Sequence, residues 1–136
     1  MTIHNIATYV RAPHAPSALA TPSSRDLLTH LPHSREQFKE TIAREHVVLV
    51  DAFATWCGPC KAIAPTIAKW AEELEFKNKV HFAKFDVDDV PELAQELGIR
   101  AMPTFIFFKD GEKVGEFVGG NPGPLKQLLV QHSSEV

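Results

Sequence analysis

The eight residues 47–54, VVLVDAFA, form a nearly continuous apolar run broken by one charge, Asp51. A strand exposed on one side would alternate apolar and polar residues, so a nearly continuous run of this length predicts a strand buried on both faces. Such a strand has to be covered above and below, and the rest of the chain supplies helices for that purpose. From Cys60 to about Lys77 apolar residues recur at Ile63, Ile67, Trp70 and Leu74, a helical stripe, with Pro65 expected to kink it because proline lacks an N–H and crowds the preceding turn. Val80–Val87 reads as a second buried strand, and Pro91–Leu97 as a short helix that starts on proline and stops at Gly98. Thr104–Lys109 and Lys113–Val118 flank Asp110-Gly111, a strong hairpin signal. Leu125–Val130 is amphipathic and closes the domain after a turn at Asn121-Pro122-Gly123-Pro124. Upstream, Ser34-Arg35-Glu36-Gln37 has the form of a capping box, followed by Phe38, Ile42 and Ala43 at helical spacing, with a short strand near Leu31 before it. The order is βαβαββα behind a leading helix. It predicts an α/β fold: a central mixed sheet flanked by helices on both faces.

At 136 residues the chain has the length of one domain with a real hydrophobic core. A net charge of -3 gives no electrostatic reason to expect nucleic acid or an anionic membrane as partner. Apolar runs such as Phe105-Ile106-Phe107-Phe108 fall far short of the roughly 20 residues of a membrane span. Residues 1–28 differ from the remainder: they lack apolar periodicity, hold no acidic residue before Asp26, and are rich in Ala, Pro, Ser and Thr. Such a stretch buries too little surface to offset its ordering entropy, so it is read as a disordered tail ahead of a domain at 29–136. The alternative is an organellar transit peptide, which two arginines and no evident amphipathic helix support only in part.

The chain has two cysteines, Cys57 and Cys60, and they stand in Trp56-Cys57-Gly58-Pro59-Cys60. A disulfide between them closes too small a loop to staple a fold. Zinc would call for two further ligands at close spacing, and His81 and His132 are isolated in sequence, so no metal is expected. Redox chemistry is left. Cys57 follows a buried strand and opens a helix, where unpaired N–H groups and the helix dipole stabilise a thiolate, the attacking species in thiol–disulfide exchange. Cys60, one helical turn further on, is placed to attack the resulting mixed disulfide. Gly58 allows a tight entry, and Pro59 is tolerated in a first helical turn.

Residues 47–65, VVLVDAFATWCGPCKAIAP, closely resemble the active-site region of thioredoxins, and the resemblance continues through Gly98-Ile99-Arg100-Ala101-Met102-Pro103-Thr104 to Gly119. It covers about residues 34–132, and the Asn121-Pro122-Gly123 turn is most similar to fungal members. The resemblance implies the thioredoxin fold and a protein-disulfide reductase that needs no bound cofactor. Such an enzyme is recharged by an NADPH-dependent thioredoxin reductase and acts on disulfide-containing client proteins as a cytoplasmic monomer, or a mitochondrial one if the first 28 residues are a transit peptide. It also implies that Asp51, whose burial should raise its pKa, helps deprotonate Cys60, with Lys84 lying near that carboxylate. Met102-Pro103-Thr104 matches the family's cis-proline loop, which faces the cysteines and pairs with the substrate backbone, so a cis Met102–Pro103 bond is expected against the base rate. Trp56 and Gly119 are expected on the same contact face. One position departs: many thioredoxins carry Trp two residues after the buried Asp, and this chain has Phe53, which keeps an apolar aromatic but loses an indole N–H. The rival readings are an oxidase or isomerase of the same fold and a binding module. Gly58-Pro59 resembles the reducing members, and the presence of both cysteines argues against the module.

Overall fold

Strand β2 (Val47–Phe53) is the middle strand of the sheet and is buried along almost its whole length, as its apolar run requires. The computed structural model describes residues 7–8 and 35–134. In chain order the elements are β1 (Ala7–Thr8), α1 (Arg35–Arg44), β2, α2 (Gly58–Glu72), α3 (Leu74–Lys77), β3 (His81–Asp86), α4 (Pro91–Leu97), β4 (Thr104–Lys109), β5 (Glu112–Val118) and α5 (Pro122–Ser133). They build one sheet in the order β1-β3-β2-β4-β5. β3 runs parallel to β2, and β4 and β5 run antiparallel to their neighbours, so the sheet is mixed as expected. Ala7 and Thr8, within the segment read from composition as a tail, pair antiparallel with Lys84 and Ala83. The strand expected near Leu31 and the capping residue Ser34 lie outside the described residues.

The period of two along each strand sorts the core into two layers. Val47 and Leu49 of β2, with Phe82, Phe105 and Phe107, face α2 and α5, which bring Ile63, Ile67, Trp70, Leu125 and Leu129. Val48, Val50 and Ala52, with Phe85, Ile106 and Phe108, face the other way, toward Phe38 of α1 and Leu93 of α4. The rings of Phe38 and Phe108 meet edge to face, 5.3 Å apart. Each fully buried side chain of this kind stabilises the fold by roughly 1.5–3 kcal/mol.

Turn chemistry delivers the hairpin. Asp110 and Gly111 both have positive φ, 52° and 87°, the backbone of a type I′ turn joining β4 to β5. Gly98 ends α4 in the left-handed conformation, φ 72°, its N–H returning to the last helical carbonyls.

Three expectations need correction. The helix predicted over 60–77 continues past Pro65 but ends at Glu72, because Glu73 is extended (ψ 139°) and a separate turn, α3, follows. Leu74 therefore leaves the buried stripe and is 85% exposed, and Phe76 takes the core position. In α1, Ala43 is exposed and Thr41 is buried. Asn121-Pro122-Gly123-Pro124 is the first turn of α5 rather than a separate turn: the Asn121 side chain caps the helix by accepting from the Gly123 N–H at 3.2 Å.

Candidate active site

At its carboxyl end β2 passes through Ala54-Thr55-Trp56 directly into α2, and this junction carries the two cysteines. Cys57 caps α2 in extended conformation, and Pro59 sits in the first turn, where its missing N–H leaves no bond unmade. The sulfurs form the Cys57–Cys60 disulfide, with Cα atoms 5.3 Å apart. The backbone N–H of Cys60 points at Cys57 Sγ and donates to it at 3.1 Å. One of the orphan donors of the helix start is thus satisfied by sulfur. The same donor becomes a charge-assisted bond, aided by the positive end of the helix dipole, once Cys57 is a thiolate. Both cysteines are buried, in a small cluster with Ala54, and Phe53, Val87 and Met102 pack against it.

The loop before β4 faces this pair. The Met102–Pro103 bond is cis, as the resemblance implied, and the Met102 carbonyl oxygen lies 3.6 Å from Cys57 Sγ. Thr104 secures the loop by donating its hydroxyl to the Ala101 carbonyl at 2.6 Å. On the other side, the N–H of Gly119, at φ 110°, donates to the Pro103 carbonyl at 2.9 Å. Trp56 projects beside Cys57 with 66% of its surface exposed, and its indole N–H donates to an Asp88 carboxylate oxygen at 2.9 Å.

Asp51 is 3% exposed in mid-strand, with Phe105 opposite it on β4 and Lys84 opposite it on β3. Burial lowers the Lys84 pKa from its ordinary value of 10.5, and the charge of Asp51 pushes it back up. The Lys84 Nζ lies over the Phe53 ring, 5.7 Å from its centroid. The sequence-expected residues thus gather in two groups: Trp56, Cys57, Met102, Pro103 and Gly119 around the sulfurs, and Asp51 with Lys84 on the sheet face that α2 covers. Among the described residues no group of three or more His, Cys, Asp or Glu side chains is placed to hold a metal.

Sequence reasoning missed two residues here. Asp88 is 32 positions from the indole it anchors, and no local pattern announces that pairing. Gly120 abuts the active-site turn so closely that a Cβ there would stand 3.3 Å from the Pro59 carbonyl oxygen; the Gly119-Gly120 pair was the available signal.

A family model described as Thioredoxin matches residues 29–131. The chain belongs to the thioredoxin family. Thioredoxin-2 of Pyricularia oryzae is 56% identical over 69% of this chain, although the match spans about half (53%) of that relative's own length. The thioredoxin of Malassezia sympodialis is 48% identical over 74% of the chain and 95% of its own length. The crystal structure of the Malassezia thioredoxin superposes with a TM-score of 0.70, covering 74% of this chain and 88% of that one. Oxidised mitochondrial thioredoxin 3 of Saccharomyces cerevisiae superposes with a TM-score of 0.67 at 36% identity, over 72% and 90% of the two chains. As a thioredoxin, the chain is a protein-disulfide reductase: it works by dithiol–disulfide exchange at Cys57 and Cys60, and its substrates are disulfide-containing proteins.

Proposed function

We propose a division of labour within this site. The Cys57 thiolate attacks one sulfur of a substrate disulfide, forming a mixed disulfide and releasing the substrate's other sulfur as a thiolate that takes up a proton. Cys60, deprotonated by Asp51 with Lys84 beside that carboxylate, then attacks Cys57 Sγ. The Cys57–Cys60 disulfide forms, and the second substrate thiol leaves. The substrate thus gains two electrons and two protons, and the dithiol loses them. The 3.1 Å bond from the Cys60 N–H to Cys57 Sγ carries the assignment, because it stabilises charge on the first sulfur and not on the second. Gly58 and Pro59 hold the turn between them. Trp56, Met102, Pro103 and Gly119 form the surface on which the substrate chain lies, the backbone of the loop before β4 pairing with it.

In this reading a thioredoxin reductase drawing on NADPH restores the dithiol. The protein works as a monomer in the cytoplasm, the mitochondrial alternative resting on whether residues 1–28 are removed from the mature chain. Insulin-disulfide reduction tests the assignment. Cys57→Ser should fall to the uncatalysed dithiothreitol background, and retention of activity would overturn the mechanism. Cys60→Ser should accumulate mixed disulfides with client proteins, and failure to trap any would remove Cys60 as the resolving group.

A further inference from the structure

Phe53 stands two residues beyond Asp51 on β2, so the two side chains project from the same face of the sheet. β3 sets Lys84 opposite Asp51 and Asp86 opposite Phe53, which places a cation between two carboxylates along one edge of that face. A lysine stem is long and flexible enough to choose either acid, or solvent. What distinguishes its position is the Phe53 ring: Nζ lies 5.7 Å from the centroid, within the range where the negative face of a ring attracts an ammonium. The same ring packs against the cluster of Ala54, Cys57 and Cys60, so it is itself held in place.

We infer that Phe53 is a positioning residue for the resolving step, its ring keeping the Lys84 ammonium beside Asp51 so that the carboxylate stays ready to take the Cys60 proton. The inference rests on the proposed role of Asp51. Burial alone works against a charged Lys84, which makes an attractive ring face next to the ammonium consequential. Among the described residues, the titratable and charged groups facing this position are Asp51 of β2, Lys84 and Asp86 of β3, and the cysteines of α2. β4 contributes Phe105 opposite Asp51; α5 contributes His132, which lies farther down the face against Phe107; and β1 sets Ala7 opposite Lys84.

The test is the pH profile of insulin reduction by the full chain from pH 5 to 9. Asp51→Asn identifies the limb that depends on Asp51. If that substitution leaves the profile unchanged, the role of Asp51 fails and the inference falls with it. If the limb responds, removing the cation by Lys84→Met should move it to higher pH by about one unit, as expected for loss of one opposite charge near a carboxylate. Phe53→Leu should move it the same way by about half as much, and Phe53→Tyr should leave it in place. The deciding measurement is the double variant: Phe53→Leu should add no shift in a Lys84→Met background if the ring acts through the ammonium. A Phe53→Leu profile identical to that of the parent, or a shift that persists without Lys84, would overturn the inference while leaving the role of Asp51 standing.

Discussion

The indole N–H of Trp56 and the carboxylate of Asp88 meet at 2.9 Å across the mouth of the active site. Trp56 is 66% exposed, so packing alone leaves its ring free to sample several rotamers, and this bond selects one of them. Asp88 is itself held, because its own N–H donates to an Asp86 carboxylate oxygen at 2.9 Å. The ring that flanks the nucleophile is therefore positioned from the β3–α4 loop.

Asp88→Ala should release that ring. The expected result is a KM for insulin raised about threefold with kcat little changed, and a stability change within about 0.5 kcal/mol, as for other exposed sites. Trp56 fluorescence anisotropy and steady-state kinetics check it. Unchanged values in both would mean that the bond does not orient the indole.

Gly120→Ala addresses the support behind the cysteines. The added methyl would lie 3.3 Å from the Pro59 carbonyl oxygen and 3.4 Å from Pro59 Cβ, and a backbone atom cannot swing aside. Destabilisation of about 1–2 kcal/mol is expected from overpacking, together with slower reduction, because the residue pushed lies between Cys57 and Cys60. Urea denaturation and insulin turnover measure the two effects separately.

Gly115→Ala is the remote counterpart. Its Cβ would stand 2.9 Å from His132 Nε2, and that ring already packs, tilted, against Phe107 with centroids 4.7 Å apart. A loss of about 1–3 kcal/mol is expected from forcing the imidazole and the end of α5 outward, with turnover of the folded protein unchanged. Loss of turnover without loss of stability would contradict this account of the packing.

Asp86 ties stability to pH. Burial raises its pKa from 3.8, the Asp88 N–H bond opposes this, and the charges of Asp89 and Asp88 add to it. With the folded-state pKa above the unfolded one, the unfolded chain loses its proton first as pH rises, so this residue makes folding less favourable through that window. Asp86→Asn keeps an acceptor for the Asp88 N–H but does not titrate. Its urea midpoint relative to the parent should be higher at pH 7 than at pH 3, and an equal offset at both values would contradict the raised pKa.

Most elements could be read from the sequence because their causes are local. The nearly continuous apolar run 47–54, the Asp110-Gly111 turn and the Pro91…Gly98 bracket each state a backbone preference within a few residues. The end of α2 was not legible, since Glu73 carries neither glycine nor proline, and Leu74 continued the apolar period that a longer helix would show. Proline misled at the start of α5: Pro122 and Pro124 look like turn residues, but both lie in a helix's first turn, where proline has no bond to lose.

By itself the sequence determined that a buried strand runs into a helix whose first turn holds both cysteines. That arrangement is enough to favour a thiolate at Cys57. Only the tertiary structure decided what surrounds the pair. The parallel registration of β3 puts Lys84 beside Asp51 with its Nζ over the Phe53 ring, and the loop ahead of β4 brings the Met102 carbonyl oxygen to 3.6 Å from Cys57 Sγ. Asp88 reaches the indole, and Gly120 leaves room for Pro59. The reason is one of range. Periodicity and capping act over one or two turns of chain, whereas these contacts join residues dozens of positions apart, and only the closing of the sheet brings them together.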